Sequence, residues 1–270
     1  MKIAFISGDS YRHKYYCNNI LDMDEYEFPL LVKVKRSLNI TDETPVEYLN
    51  EKDKNLLDAH TEMRIKKEKE YFLPKGEYFN EKKVRNVVEI EQNEVNSKKI
   101  IEAFKESKSD VVIVFGVALL KKELLCVMPK YVINLSGLSP YYKGAATLFW
   151  PFYFMEPQYA GHTFHIIDEK IDHGGIIHQG RPEIYEDDTL PDIGARDVIK
   201  AAEELPKILK KIEFEDIKIY PQPNTGKLFY KNDFKPHHMR IIKKLIDEGF
   251  LKEYLENRHL FPDPKLITQV

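Results

Sequence analysis

Between Lys98 and Gly137 the chain reads KKIIEAFKESKSDVVIVFGVALLKKELLCVMPKYVINLSG. A helix over 98–107 leads into a fully apolar strand at 110–115. A glycine turn, a second short helix at about 119–127 and Pro129 follow, and YVINLS makes another strand. Strands that are apolar on both faces need cover on both faces. A parallel sheet with crossover helices supplies it. Sheets of this kind take ligands at the carboxyl ends of their strands, and Gly116 and Asn134 stand at two such ends.

The remaining segments fit the same α/β class. KIAFIS (2–7) is a buried first strand feeding the turn at Gly8, and EYEFPLLVKVK (25–35) holds a second. Residues 46–72 place Leu49, Leu56 and Met63 at seven-residue spacing, predicting an amphipathic helix. Its basic end, Arg64 to Lys69, reads as a solvated face offset by Glu68 and Glu70, with an anion site as the alternative. AGHTFHIID (160–168) alternates like a strand, with Thr163 and His165 on one face. The chain turns at Gly174-Gly175 and returns as a further strand. A long helix over 188–212, capped by Asp188, continues despite Pro191 and Pro206, and a last helix spans 237–257. The expected architecture is a mostly parallel twisted sheet with helices on both faces, over residues 1–215, plus a short C-terminal helical appendage over 216–270. No repeat or low-complexity tract interrupts it.

Composition narrows the partners. The formal net charge is −3 over 270 residues, 43% of them hydrophobic, so no overall basic field exists to grip a phosphate backbone. No nucleic acid partner is expected. Cys17 and Cys126 are far apart and in no metal-ligand spacing, which suits free thiols in a reducing compartment and no metal site. The apolar run after Lys2 is too short for a signal-peptide core, and no segment approaches a membrane span. The expected setting is cytoplasmic.

The residues able to carry chemistry are Asn134, Ser136, His165, Asp172, His173 and His178. Asn134 at a strand end can donate its amide to a developing oxyanion. Asp172, ahead of a glycine turn, can orient a base or order a water that moves protons, and it can equally serve the turn itself. His165 on a strand can be a base or a core hydrogen-bonding group.

Their order carries more than any one of them. INLSGLSPYYKGAAT followed by AGHTFHIIDEKIDHGGIIHQ resembles the central signature of the folate-dependent formyltransferase superfamily. That superfamily includes methionyl-tRNA, glycinamide-ribonucleotide and sugar-nucleotide N-formyltransferases. The resemblance is clear over residues 98–212. It implies a Rossmann-like formyltransferase fold, 10-formyltetrahydrofolate as formyl donor and a small-molecule amine as acceptor. Asn134 matches the asparagine that polarises the formyl carbonyl, and Asp172 the aspartate that orients the catalytic histidine. His165 matches the histidine seven residues before that aspartate. Phe115, Gly116, Val117, Ala118, Leu119 and Leu120, with Asp168, Glu169, Lys170 and Ile171, match the walls that hold the pterin.

One position departs from the pattern. The family places His two residues after Asn, and this chain has Ser136 there, in a stretch one residue shorter. A hydroxyl can only give or take a hydrogen bond, and loss of a general base costs about 10²–10⁴ in rate, or roughly 3–5 kcal/mol of barrier. Three readings follow. Another base compensates: the amine's own lone pair, Asp172 through a water, or His165 or His173 moved inward. Alternatively the chain is a non-catalytic folate-binding or ligand-binding homologue, or an altered form of an active parent.

GDSYRHK after the first strand lacks a phosphate-binding glycine pattern, which argues against a ribonucleotide phosphate. The absence of a basic β-rich segment after residue 216 argues against tRNA. GKLFYKNDFKPHHM looks like the segment that follows the core in formyltransferases acting on amino sugars or sugar nucleotides. Tyr141, Tyr142, Phe149, Trp150, Phe152 and Tyr153 either stack on such a ligand or fill the core. A homodimer is compatible with all of this.

Overall fold

The computed structural model describes residues 1–35, 50–223 and 225–270. The chain opens with β1 (Ile3–Gly8), α1 (Tyr11–Leu21), β2 (Leu31–Lys35) and α2 (Glu51–Phe72), then β3 (Val87–Glu91) and α3 (Lys98–Ser107). Next come β4 (Val111–Phe115), α4 (Lys122–Leu125), β5 (Tyr131–Gly137), β6 (Tyr142–Gly144), α5 (Phe149–Tyr153), β7 (His162–Ile166) and β8 (Ile176–Gly180). It closes with α6 (Leu190–Glu213), β9 (Lys227–Phe229), α7 (Pro236–Asp247) and α8 (Phe250–Glu256).

Among the described residues, one sheet has the order β3-β2-β1-β4-β5-β7-β8. The first five strands are parallel and the last two pairings antiparallel. The apolar strands explain the layering. Ile3 and Phe5 of β1, Val111 and Ile113 of β4, and Ile133 and Leu135 of β5 pack with Tyr16 and Ile20 of α1 and with Leu205, Ile208 and Leu209 of α6. The intervening residues, Ala4, Ile6, Val112, Val114 and Val132, pack on the other face with Ile100 and Phe104 of α3 and Leu124 of α4. Each such side chain, taken out of water, contributes about 1.5–3 kcal/mol. Strand order reverses between β1 and β4, so a crevice opens at their carboxyl ends.

Several expected elements differ in detail. The expected helix over 46–72 is α2, with residues 46–49, Leu49 among them, lying outside the described residues. Its buried side chains are Asp53, Leu57, Glu68 and Phe72, while Met63 is exposed; packing against α1, α6 and α7 selects a different stripe from the seven-residue one. α6 is capped by Thr189, not Asp188: the Thr189 N–H donates to Asp192 Oδ2 at 2.9 Å, closing a capping box. Asp188 instead accepts from the Tyr185 N–H at 2.7 Å and pairs with Arg196. The last helix is two, α7 and α8, because Gly249 takes a left-handed φ of 87°.

Residues after 216 return to the rest of the chain. β9 pairs with β6 in a separate two-stranded sheet, and the tail meets β8 where the Gln179 N–H donates to the Ile267 carbonyl at 2.8 Å. Tyr142, Trp150 and Phe152 join Phe234, Met239 and Ile242 in a third core, with Trp150 stacked on Phe229 at 4.2 Å. For these aromatics the core reading holds. Among the described residues no helix is long and apolar enough to cross a membrane.

Candidate active site

The crevice is a cavity of about 860 Å³. One wall is the segment after β4, Phe115 through Leu120, with Ile167, Lys170 and Ile171 beside it. Gln92 and Asn96 hold this segment in place: the Ala118 N–H donates to Gln92 Oε1 at 3.0 Å and the Lys121 N–H to Asn96 Oδ1 at 2.7 Å. Gly116 adopts φ +70°, and a Cβ there would lie 2.0 Å from His13 Nε2. The His13 ring, fully buried and edge-on to Phe115 at 4.5 Å, thus demands glycine. Burial and the nearby Arg12, Arg64 and Lys14 hold His13 well below the usual histidine range.

Asn134 and His165 are direct partners across the antiparallel β5–β7 pair, and Ser136 is opposite Thr163. Asn134 Nδ2 donates to His165 Nε2 at 3.2 Å and reaches Asp172 Oδ1 at 3.5 Å. His165 Nδ1 donates to the Ile166 carbonyl at 2.9 Å, so in the neutral ring Nε2 keeps its lone pair. Asp172 Oδ1 lies 3.3 Å from that nitrogen. Its Oδ2 accepts the Gly144 N–H at 2.8 Å. Asp172 itself is left-handed, φ +44°, a conformation costing about 1–3 kcal/mol in a non-glycine residue. Asn134, His165 and Asp172 all line the cavity.

The structure therefore brings Asn134, His165 and Asp172 together and leaves other candidates apart. Ser136 lines the cavity, but its hydroxyl donates to the Gly137 carbonyl at 3.3 Å. His173 turns to Asp168, 2.9 Å away, and the same aspartate accepts the Lys170 N–H at 2.9 Å. Asp168 and Glu169, expected on the pterin wall, do not line the cavity; Asp168 organises its own turn and Glu169 pairs with Lys122 at 3.6 Å. His178 is buried 3.3 Å from Glu204.

Arg12 of α1, which sequence reasoning missed, also lines the cavity, with Arg64 and Glu68 of α2, Phe149 and the start of α6. Arg12 bonds Glu68 at 2.5 Å, and Arg64 lies 3.8 Å from the same carboxylate. The basic end of α2 is therefore partly a cavity wall and not simply a solvated face. His60, beside them, is pushed down to about 4 by burial and by Arg64. Further along, His162 of β7 is clamped by two carboxylates of α6: Nδ1 donates to Asp197 Oδ1 and Nε2 to Glu204 Oε2, both at 2.7 Å. Burial alone would lower this imidazole, yet Asp197 and Glu204 hold it up to about 9. The seven-residue spacing of Asp197 and Glu204, which puts both on one helix face, was the available signal. Among the described residues no group of three His, Cys, Asp or Glu is placed to hold a metal ion.

Asparagine and histidine on the β5–β7 pair, with aspartate beside them, form a polar cluster in the crevice of a Rossmann-like α/β frame. Residues 46–209 match the family model described as formyl transferase, and the chain belongs to that family. A methionyl-tRNA formyltransferase of Clostridium botulinum is 36% identical over 139 residues, which cover 50% of this chain and 43% of that protein. The match thus spans less than half the length of that relative. In three dimensions a sugar N-formyltransferase from a Shewanella species aligns with TM-score 0.54 at 17% identity, covering 87% of this chain and 78% of that one. An N-formyltransferase from Helicobacter canadensis aligns with TM-score 0.53 at 16% identity, over 94% and 81%. At these identities the structural likeness speaks for the fold.

Proposed function

We propose that this protein transfers a formyl group from 10-formyltetrahydrofolate to the amino group of a small molecule, an amino sugar or sugar nucleotide. The observation that carries this reading is the contact set Asn134–His165–Asp172 inside the cavity. When bound, the folate supplies an activated formyl group on nitrogen. The Phe115–Leu120 segment and Ile171 offer it a fixed, largely apolar wall, and a cavity of about 860 Å³ suits a ligand of that size. The Helicobacter canadensis enzyme was solved with folinic acid and dTDP-3-aminofucose, which fits the same ligand classes.

Asn134 serves the carbonyl oxygen. As an amine attacks the formyl carbon, negative charge grows on that oxygen, and the Asn134 Nδ2–H, midway along β5, is the side-chain donor that can turn from His165 Nε2 to meet it. The Asp172–His165 pair serves the proton. Asp172, fixed by the Gly144 N–H, is the more open of the two, with 12% of its side chain exposed against 3% for His165. A proton taken from the amine is shared with His165 Nε2, whose positive charge the carboxylate then balances; it passes to the folate nitrogen as the bond from that nitrogen to the formyl carbon breaks, releasing tetrahydrofolate. This pair does the work assigned in the family to the histidine replaced by Ser136, whose hydroxyl contributes a hydrogen bond only. The protein acts as a soluble transferase with no nucleic acid partner.

The reading is tested by calorimetric titration with 5-formyltetrahydrofolate, a stable donor mimic, followed by an acceptor screen of amino sugars and sugar nucleotides. Micromolar binding with a formylated product supports it; no binding at millimolar ligand refutes it. Ser136 favours a second reading, a folate-binding protein without transfer. Its signature is donor binding with no formylated product from any acceptor.

A further inference from the structure

Asp197 has a feature that clamping does not use. It lines the main cavity, its Oδ1 accepts from His162 at 2.7 Å, and its second oxygen has no protein partner among the described residues. Glu204, the other arm of the clamp, does not line that cavity; with His178, Arg181 and Lys200 it borders a separate one of about 430 Å³. Two carboxylates share the one His162 ring. Glu204 is held down to about 2 by His162 and His178 against the opposing effect of burial, so it stays ionised. His178 Nδ1 accepts the Gln269 N–H at 2.9 Å, and its Nε2 lies 3.3 Å from the Glu204 carboxylate.

The cluster opens into the same cavity as the proposed reaction site. His162 is opposite Gly137, three strand positions from Asn134, about 10 Å along the strand. The odd offset sends its side chain to the α6 face of the sheet, so Asp197 borders the cavity from the α6 side. Asp197 lines the same cavity as the Phe115–Leu120 segment, and so do Gly194 and Val198. A carboxylate there, one oxygen anchored and one open, is a receptor for a hydrogen-bond donor.

We infer that Asp197 is a specificity residue for the acceptor, taking a hydrogen bond from a hydroxyl or ammonium group on the acceptor ring. The acceptor class is then a polyhydroxylated or polyamino ring, not a plain alkylamine. The inference rests on the formyl-transfer reading only in naming the bound ring an acceptor. A charge-assisted bond of this kind is worth about 10- to 100-fold in affinity.

The test compares three probes by ligand-observed NMR and calorimetry: D-glucosamine, methyl β-D-glucoside and cyclohexylamine. Wild-type protein is expected to bind glucosamine more tightly than cyclohexylamine. Asp197→Asn, whose side chain still offers His162 an oxygen, is expected to weaken glucosamine at least about 10-fold. If the glucoside weakens in parallel and cyclohexylamine does not, the donor is a hydroxyl; if cyclohexylamine weakens with glucosamine and the glucoside does not, it is the ammonium. Glu204→Gln loosens the same clamp from outside the cavity and is expected to lower Tm while keeping glucosamine affinity. The inference is overturned if wild-type protein binds no glucosamine or does not prefer it, if Asp197→Asn leaves its affinity unchanged, or if Glu204→Gln costs as much binding. A 5-formyltetrahydrofolate titration on the same samples separates the two claims: lost donor binding with intact probe selectivity removes formyl transfer and leaves the role of Asp197 standing.

Discussion

The His162 clamp makes stability depend on alkaline pH in a direction fixed by its geometry. The imidazole, buried and held by Asp197 and Glu204, is raised from 6.5 to about 9 despite its burial. A group raised on folding contributes stability that is fully present below its unfolded value, near 6.5, and is lost as pH climbs through about 9. At 1.36 kcal/mol per pH unit, the contribution is about 3 kcal/mol. Glu204 reports the same pairing from its acidic side and is not added to it. Replacing His162 with Gln removes the titrating ring. Urea unfolding followed by circular dichroism, from about pH 6 to about pH 10, is expected to show the wild-type advantage over His162→Gln shrinking by about 3 kcal/mol, most of it between about pH 7 and 9.5. An advantage that stays constant across this range would refute the assignment of a charged, doubly paired imidazole.

Asn134→Ala is expected to cut formyl transfer about 100- to 1,000-fold while donor-mimic affinity changes little, read as kcat against the calorimetric Kd. Ser136→His is expected to raise transfer. If it does not, a second variant that also restores one residue after Gly137 tests whether loop length limits the site. Gly116→Ala forces a Cβ into His13 at a left-handed φ and is expected to lower stability by about 1–3 kcal/mol and weaken 5-formyltetrahydrofolate binding. Adding His13→Ala relieves the contact and recovers part of that loss.

Much of the scaffold was readable from the sequence because its strands are buried on both sides. VVIVF and YVINL have no polar face to hide, and alternate residues feed two different cores. The grouping of Asn134 with Asp172 was visible only through the resemblance, since nothing in their 38-residue separation specifies an antiparallel register. What escaped depends on contacts between distant segments. Asp197 and Glu204 lie 35 and 42 residues from His162, and carboxylates on a charged helix ordinarily belong to solvent. The seven-residue stripe on α2 misled for a related reason: helix periodicity marks an apolar face, but three neighbouring helices choose which flank is covered. Gly249, by contrast, was a visible break that a continuous helical pattern overrode.

The antiparallel step at β5–β7 has a consequence for how such a site can change. Asn134 and His165 meet because of strand registration, five uninterrupted pairs from Ile133–Ile166 to Gly137–His162. The segment joining these strands lies beyond the register, so it can shorten by a residue without parting the pair; Ser136, standing in the histidine's place, lies inside the register opposite Thr163. A single residue added inside β7 would instead tend to exchange His165 for Phe164 on the Asn134 face. The strand's one irregularity, between Phe164 and His165, falls on its pairing with β8. Variation is thereby steered to the outer edge of the sheet, and the inner edge, where the asparagine stands, keeps its alignment.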